Sequence, residues 1–360
     1  MLRGSLPAVP GVLTAEQSLQ TARAIADMQE PSGAIPWFPG GHTDPWDHIE
    51  SAMALTACGL TDESERAFRW LRRIQRADGS WPIKLREGVV EDANSDSNFC
   101  AYLAVGVWHH YLLCDDRAFV VEMWPTICKA IDFVLTMQGA GGEFAWGCGP
   151  GGPVREALLT GNSSIHHSLR CALMLAELMG DHQPDWDVAL FQLGHALRRH
   201  PEVFAPKPEY SMDWYYPVLG GALRGEAARN RLRARWDDFV VPGVGARCVE
   251  HRPWVTGAET CELVLALDAV GMGEQALSLF GDIQHLRDSD GAYWTGLVFS
   301  DGVRWPAEQS SWTSAAVILA ADALSCCTAG SGIFRYAALP AAQLGSDSCG
   351  EHCYVSGSPV

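Results

Sequence analysis

The sequence predicts an all-α fold, an (α/α)6 barrel in which six inner helices alternate with six outer ones. Three observations predict it. Helical periodicity fills the chain and strands are nearly absent. The helices alternate in character, charged on one face and then apolar nearly all round. A loop signature of Gln, then Gly, then an apolar residue recurs after the charged members.

In order, helices are expected at about 15–29, 45–59, 62–76, 97–114, 117–138, 163–180, 185–199, 213–223, 225–239, 257–271, 273–286 and 310–325. The odd-numbered ones are amphipathic: Asp62 to Gln75 carries Glu63, Glu65, Arg66, Arg69, Arg72 and Arg73. The even-numbered ones are apolar on all sides, as in Ala101 to Tyr111, Leu169 to Leu178 and Leu263 to Val270. Amphipathic helices belong at the surface and uniformly apolar ones inside.

The loop signature reads Gln29-Gly33-Ile35, Gln75-Gly79-Trp81 and Gln138-Gly142-Phe144, with Arg287-Gly291-Tyr293 as a variant. Glycine suits a helix exit that needs positive φ, and the apolar residue can fold back over the helix end. Links from inner to outer helix are short, such as Leu60-Thr61 and Asp115-Asp116. Links from outer to inner helix are long and carry Trp37, Trp81, Trp146, Trp254, Trp294 and Trp305. Long loops in compact domains tend to be functional. A tryptophan-lined cleft is therefore expected where the inner helices begin. One domain over 1–335 is expected, with 336–360 an irregular tail; periodicity is already lost from about Thr328, and the chain from there is expected to lie on the surface.

A formal charge of −17, with Lys84, Lys129 and Lys207 the only lysines, disfavours nucleic acid and anionic membrane as partners. Met1 to Thr14 has no continuous apolar stretch like that of a signal peptide, which leads us to expect a cytoplasmic protein. Most cysteines, Cys58, Cys100, Cys128, Cys171 and Cys261 among them, sit inside helical patterns and read as small core residues. Cys349 and Cys353 have metal or disulfide spacing but no second pair nearby. No metal and no cofactor is expected; oligomeric state is not readable.

Each inner helix opens on a polar motif. These are Asp44-Pro-Trp-Asp-His-Ile-Glu50, Asp92 to Asn98, Thr160 to His167, Ser211 to Tyr216, Thr256 to Glu262 and Ala307 to Trp312. Caps explain part of this. Asp44, followed by Pro45, reads as an N-cap. Asp47 with Asp44, and Glu259 with Thr256, could form capping boxes. Glu262 lies beyond the first turn of an inner helix, where capping cannot account for it. Asp47 and Glu262 are the candidate catalytic pair, with Glu308, Glu259, Asp44 and Glu50 as possible catalytic or supporting acids. Two acids across an aromatic cleft are what glycoside hydrolysis needs, one as proton donor and one as base or nucleophile. For sugar binding the candidates are Trp37, Trp46, Trp81, Asn98, His109, Trp146, His166, Asp213, Trp214, Tyr215, Arg252, Trp254 and Trp294, with Asn162 and His167 behind them. In each of the pairs His109/His110 and His166/His167, at least one member is expected to be a hydrogen-bonded core residue.

Three resemblances bear on this. The Gln–Gly–Trp repeat resembles that of the squalene-cyclase and prenyltransferase toroids, but the chain lacks their Asp-x-Asp-Asp and Asp-Asp-x-x-Asp motifs. Ala307-Glu-Gln-Ser-Ser-Trp-Thr-Ser-Ala-Ala316 is similar to the final-helix segment of glucoamylases, where the Glu is the base, and Gly106 to Leu113 with Met123-Trp-Pro125 to debranching-type six-hairpin enzymes. Over nearly the whole barrel the chain resembles the actinobacterial methylmannose polysaccharide hydrolases, a group often called prenyltransferases. The matching stretches are Asp44 to His48, Gly106 to Tyr111, Ser163 to Cys171, Met212 to Gly221 and Arg252 to Glu262. That resemblance implies a mycobacterial endo-α-(1→4)-mannosidase of 3-O-methylmannose polysaccharide, with Asp47 and Glu262 at the catalytic positions. Inversion is expected, which would place the two carboxyls roughly 6.5–9.5 Å apart. Two rivals stay open: an isoprenoid enzyme on the same toroid, and a toroid that binds glycan without cleaving it.

Overall fold

The structure, a computed structural model, describes residues 6–154 and 156–335. The helices are α1 (Ala15–Met28), α2 (Pro45–Ala57), α3 (Thr61–Ile74), α4 (Ser97–Ala101), α5 (Leu103–Cys114), α6 (Arg117–Leu135) and α7 (Leu159–Met179). There follow α8 (Pro184–Arg199), α9 (Ser211–Leu219), α10 (Gly225–Ala234), α11 (Trp236–Phe239), α12 (Gly257–Ala269), α13 (Gly273–Asp282) and α14 (Ser311–Ser325). Each of the expected helices is present, three of them with a break: Tyr102 parts α4 from α5, Arg235 parts α10 from α11, and a 3-10 turn at Ile283–Leu286 continues α13.

The apolar helices pack on one another in a closed circuit. α2 meets α5, α5 meets α7, α7 meets α9, α9 meets α12, α12 meets α14, and α14 returns to α2. Every residue of α2 is buried, and nearly every residue of α12 and α14. The amphipathic helices lie outside them, α3 on α2, α6 on α5 and α7, α8 on α7, α10 on α9, and α13 on α12 and α14.

The repeated loop joins neighbouring outer helices. Gln29, Gln75 and Gln138 each donate Nε2 to the carbonyl of the signature glycine, at 3.1, 3.0 and 3.2 Å. The same amide also reaches a carbonyl of the next outer helix: Glu63 on α3, Thr126 on α6 and Ala189 on α8. The variant copy closes the circuit, with Arg287 on Gln20 of α1 and Thr21 donating to the Gly291 carbonyl at 2.7 Å. Ile35, Trp81, Phe144 and Tyr293 fold beneath the loops and are fully buried.

Two sequence expectations need correction. Strands are present in the long loops: a hairpin of Lys84–Arg86 with Val89–Asp92, a three-stranded sheet, and a five-stranded antiparallel sheet running from Val240–Val241 to Val303–Arg304. Their runs of two to four residues are too short for alternation to register. The segment after Thr328 is also not free surface. Ile333 and Phe334 are buried, and Arg335 pairs with Asp268 at 2.6 Å, so this stretch packs against the far end of the ring from the polar motifs. The expected tail 336–360, with Cys349 and Cys353, lies outside the described residues.

Candidate active site

At the N-terminal ends of the inner helices lies an open cleft of about 390 Å³. Its walls come from the polar motifs and the long loops, and include Trp37, Asp44, Trp46, Asp47, Asn98, Trp146, Tyr216 and Trp312. Asp44 caps α2 by accepting the Asp47 backbone N–H at 3.0 Å, with Pro45 as the first helical residue. The cap fixes the first turn so that the Asp47 carboxyl meets the cleft while its residue is only 7% exposed. Trp46 lies stacked on Tyr102, 4.1 Å between centroids, and makes the floor. His48 turns away: it accepts from the Ile35 N–H and bonds the Ala67 carbonyl, locking α2 to the repeat loop.

Glu262 sits below that floor, 1% exposed, in a small internal cavity shared with Trp46, Glu50, Tyr102 and Tyr216. Its two oxygens accept the hydroxyls of Tyr215 and Tyr216, both at 2.5 Å. Tyr216 lines the cleft on one side and this cavity on the other, so its ring separates Glu262 from the open space. Glu50, one turn below Asp47, accepts the Tyr102 hydroxyl at 2.9 Å.

The two candidate catalytic acids differ electrostatically. Burial, first of all, pushes the Asp47 carboxyl well above its ordinary range, and every other influence acts the same way: the Asp44 charge, a hydrogen bond shared with it, then Glu50 and Glu262. Glu262 is also raised by burial and by Glu50, but the two phenols oppose this by stabilising its anion. Burial raises Glu50 to about 7 against the Tyr102 hydrogen bond, and raises Asp96 to about 7 against two backbone N–H groups.

Carboxyls with raised folded pKa values bind protons more tightly when folded. Their stabilisation is complete below the unfolded carboxyl range and is lost as pH rises through about 7. For Glu50, a shift from 4.5 to about 7 corresponds to about 3 kcal/mol. The melting temperature should therefore fall between roughly pH 5 and pH 8, with a shallower fall in Glu50→Gln, whose amide oxygen still accepts from Tyr102. Parallel slopes for both proteins in thermal melts across that range would contradict this.

The remaining candidates divide. Trp37 stacks on His42 and donates Nε1 to Glu308 at 2.6 Å, which places Glu308 at the cleft rim. Asn98 and Trp146 line the cleft. The Asn98 Oδ1 is buried without a hydrogen-bond partner at the cleft wall, while the Trp312 side chain is directed at Glu50.

The structure does not bring the others there. Trp81 fills the repeat slot and donates to the Leu71 carbonyl. Trp214 donates to the Arg231 carbonyl, joining α9 to α10, and Tyr215 is committed to Glu262. His166 bonds the Gly220 carbonyl, and His109 lies near the middle of α5 against Gly330. Asp213 accepts from Thr160 at 2.6 Å and faces a separate groove. Asn162 is the exception: it lines the cleft, but its amide is spent on the backbone of Phe144 and Leu158. Arg252 is exposed, and Trp254 and Trp294 are half-buried outside the cleft. Glu259 is buried with Oε2 unpartnered; Thr256 makes no side-chain cap bond, so that capping box does not form. Cleft residues missed in the sequence are Asp96, Tyr216 and Trp312; Asp96 and Tyr216 stand inside quoted helix-start motifs, and Trp312 closes one. Among the described residues no cluster of three or more His, Cys, Asp or Glu could hold a metal, and no helix is long and apolar enough to cross a membrane.

No family model matches the chain. The solved structures it resembles include a glycosidase in complex with glucose, with TM-score 0.68 and 16% identity over 86% of this chain and 96% of the other. They also include a D-mannose isomerase, with TM-score 0.65 and 12% identity over 86% and 97%, and an alpha-amylase from Clostridium perfringens, with 0.63 and 8% over 85% and 97%. These establish likeness of fold. In sequence, the chain is 64% identical over 352 residues to the MMP endo-(1,4)-3-O-methyl-alpha-D-mannosidase of Mycolicibacterium hassiacum, covering 97% of this chain and 98% of that one. With that identity along almost its full length, and with two acids set at and beneath an aromatic cleft, the chain belongs to the MMP endo-(1,4)-3-O-methyl-alpha-D-mannosidase family.

Proposed function

We propose that this protein is an endo-acting α-(1→4)-mannosidase that hydrolyses 3-O-methylmannose polysaccharide inside the cytoplasm, with inversion. It works as a single-domain (α/α)6 barrel over residues 1–335. The observation that carries the reading is the unlike pair of buried carboxyls, Asp47 at the cleft and Glu262 held by two phenols beneath it. Support comes also from the family relative, whose name specifies a 3-O-methyl-α-mannoside.

In this reading Asp47, protonated, gives its proton to the glycosidic oxygen as the C1–O bond breaks. Glu262, shielded by the Tyr216 ring, acts as base through that residue: the Tyr216 hydroxyl passes its proton to Glu262 and takes one from a water that attacks C1 from the opposite face. Its two tyrosine hydroxyls act against the burial and the neighbouring acids that raise its pKa, and so help it carry the charge. Trp46, Trp37 and Trp146 present indole faces to the apolar faces of sugar rings, which O-methylation makes more apolar still. The Asn98 Oδ1 accepts from a sugar hydroxyl.

Incubation with methylmannose polysaccharide, followed by mass spectrometry, should show mid-chain shortening without added metal or cofactor. NMR of the first product should show the anomer opposite to the α-linkage. Unchanged chain length under these conditions would rule the activity out, and a first product with the α-anomer would rule out inversion alone.

A further inference from the structure

The cleft is small for a polymer. At about 390 Å³ it lies near the lower end of pockets that hold small molecules, so a polysaccharide must run past its rim. On that rim one large apolar side chain has no evident structural purpose. Trp305 is 53% exposed, more than half of its surface lying open to solvent.

Its setting is nevertheless rigid. The Trp305 N–H donates to the Gly296 carbonyl at 3.1 Å, and its own carbonyl accepts the Trp254 Nε1 at 2.8 Å. The Trp254 ring stands edge-on to the Trp305 ring, 4.8 Å between centroids at 80°. A T-shaped neighbour braces one side of an indole and leaves a face free. Trp305 follows directly on Val303–Arg304, the edge strand of the five-stranded sheet, and Val303 is 52% exposed beside it.

The platform is tied to the cleft by the chain itself. Three residues on, Glu308 accepts the Trp37 indole N–H at 2.6 Å, and Trp37 lines the cleft. Three residues span at most about 11 Å, so Trp305 sits beside the cleft rim. Trp305 and Val303 together leave a rigidly held apolar surface exposed beside that rim.

Taking the proposed function as given, we infer that Trp305, braced by Trp254, is a sugar-stacking platform outside the cleft that binds a distal unit of the methylated glycan chain. The indole face covers the C–H face of one pyranose ring, and a 3-O-methyl group extends that contact. The platform does not touch the bond being cleaved. It selects long chains over short ones.

The test compares Trp305→Ala and Trp305→Tyr with the unaltered protein on two substrates, intact methylmannose polysaccharide and the shortest methylmannose oligosaccharide that is still cleaved. For Trp305→Ala, KM on the polysaccharide should rise about 10-fold with kcat unchanged, the equivalent of about 1.4 kcal/mol of binding. Kinetics on the short substrate should be unaltered, and Trp305→Tyr should keep most of the affinity. Binding of the polysaccharide, followed by quenching of tryptophan fluorescence, should weaken in parallel, a readout that holds even if the unaltered protein cleaves nothing. An unchanged KM and unchanged binding for Trp305→Ala would overturn the proposal. So would an equal loss on both substrates, which would place Trp305 within the cleft's own machinery or in folding.

Discussion

Asp47→Asn is expected to lower kcat on methylmannose polysaccharide by about 100- to 10,000-fold, with little change in KM. The amide keeps the size of the carboxyl and leaves the Asp44 cap untouched, because that cap uses the Asp47 backbone N–H. What it removes is the proton of the Asp47 carboxyl. Its effect on folding should have the opposite sign. Asp47 sits among Asp44, Glu50 and Glu262, all of which push its carboxyl towards protonation, so a neutral side chain relieves that repulsion at alkaline pH. The melting temperature of Asp47→Asn at about pH 8 should therefore match or exceed that of the unaltered protein. Glu262→Gln should lose turnover to a similar degree while one of its two phenol bonds reverses, the amide nitrogen donating to a tyrosine oxygen. Full turnover in either variant would remove that residue from the mechanism. Lost turnover with a melting temperature many degrees lower would reassign it to folding.

Much of this was legible in the sequence because it depends on local rules. An acid after Asp-Pro at a helix start is a first-turn acid wherever the helix goes, and an acid inside Cys261-Glu262-Leu263 must be buried once the helix is inner. The repeat loop was legible as a turn but not in its two-residue alternation. After each glycine the chain runs extended. The second residue (Ile35, Trp81, Phe144) is buried under the loop, while the fourth (Trp37, Ile83, Trp146) lines the cleft. Trp81 and Trp37 therefore look alike as loop tryptophans and differ only by register. Read with that period, Trp81 belongs to the core.

What could not be read depends on how whole helices are rotated against one another. Nothing local says that Tyr215 and Tyr216, adjacent on α9, both reach one carboxylate on α12. The same holds for Trp46 lying over Tyr102, which covers Glu262 and leaves Asp47 at the cleft. An acid that no cap explains was enough to nominate Glu262. Its shielding from the cleft by the Tyr216 ring is a tertiary fact.

Gly79→Ala is expected to cost more than about 4 kcal/mol, enough to lower the melting temperature by about 10 °C or prevent folding. Two penalties act together at this position. The backbone has φ +95, where an alanine is strained, and its Cβ would come within 2.0 Å of the Lys129 carbonyl oxygen on α6. The obstacle is backbone, held there by Gln75, which donates to the Gly79 and Thr126 carbonyls together. Relief would require α3 and its exit loop to withdraw from α6. Gly59→Ala isolates the first penalty: φ is +77 there, and nothing lies within 4 Å of the added methyl. It should cost only about 1–2 kcal/mol. Thermal melts of the two variants therefore separate dihedral strain from interhelix contact. A clearly lower melting point for Gly79→Ala than for Gly59→Ala would mean that the repeated glycine is kept for the closeness of neighbouring outer helices. Equal losses would mean that it is kept only for its turn, and that the outer helices are not held together through the repeat.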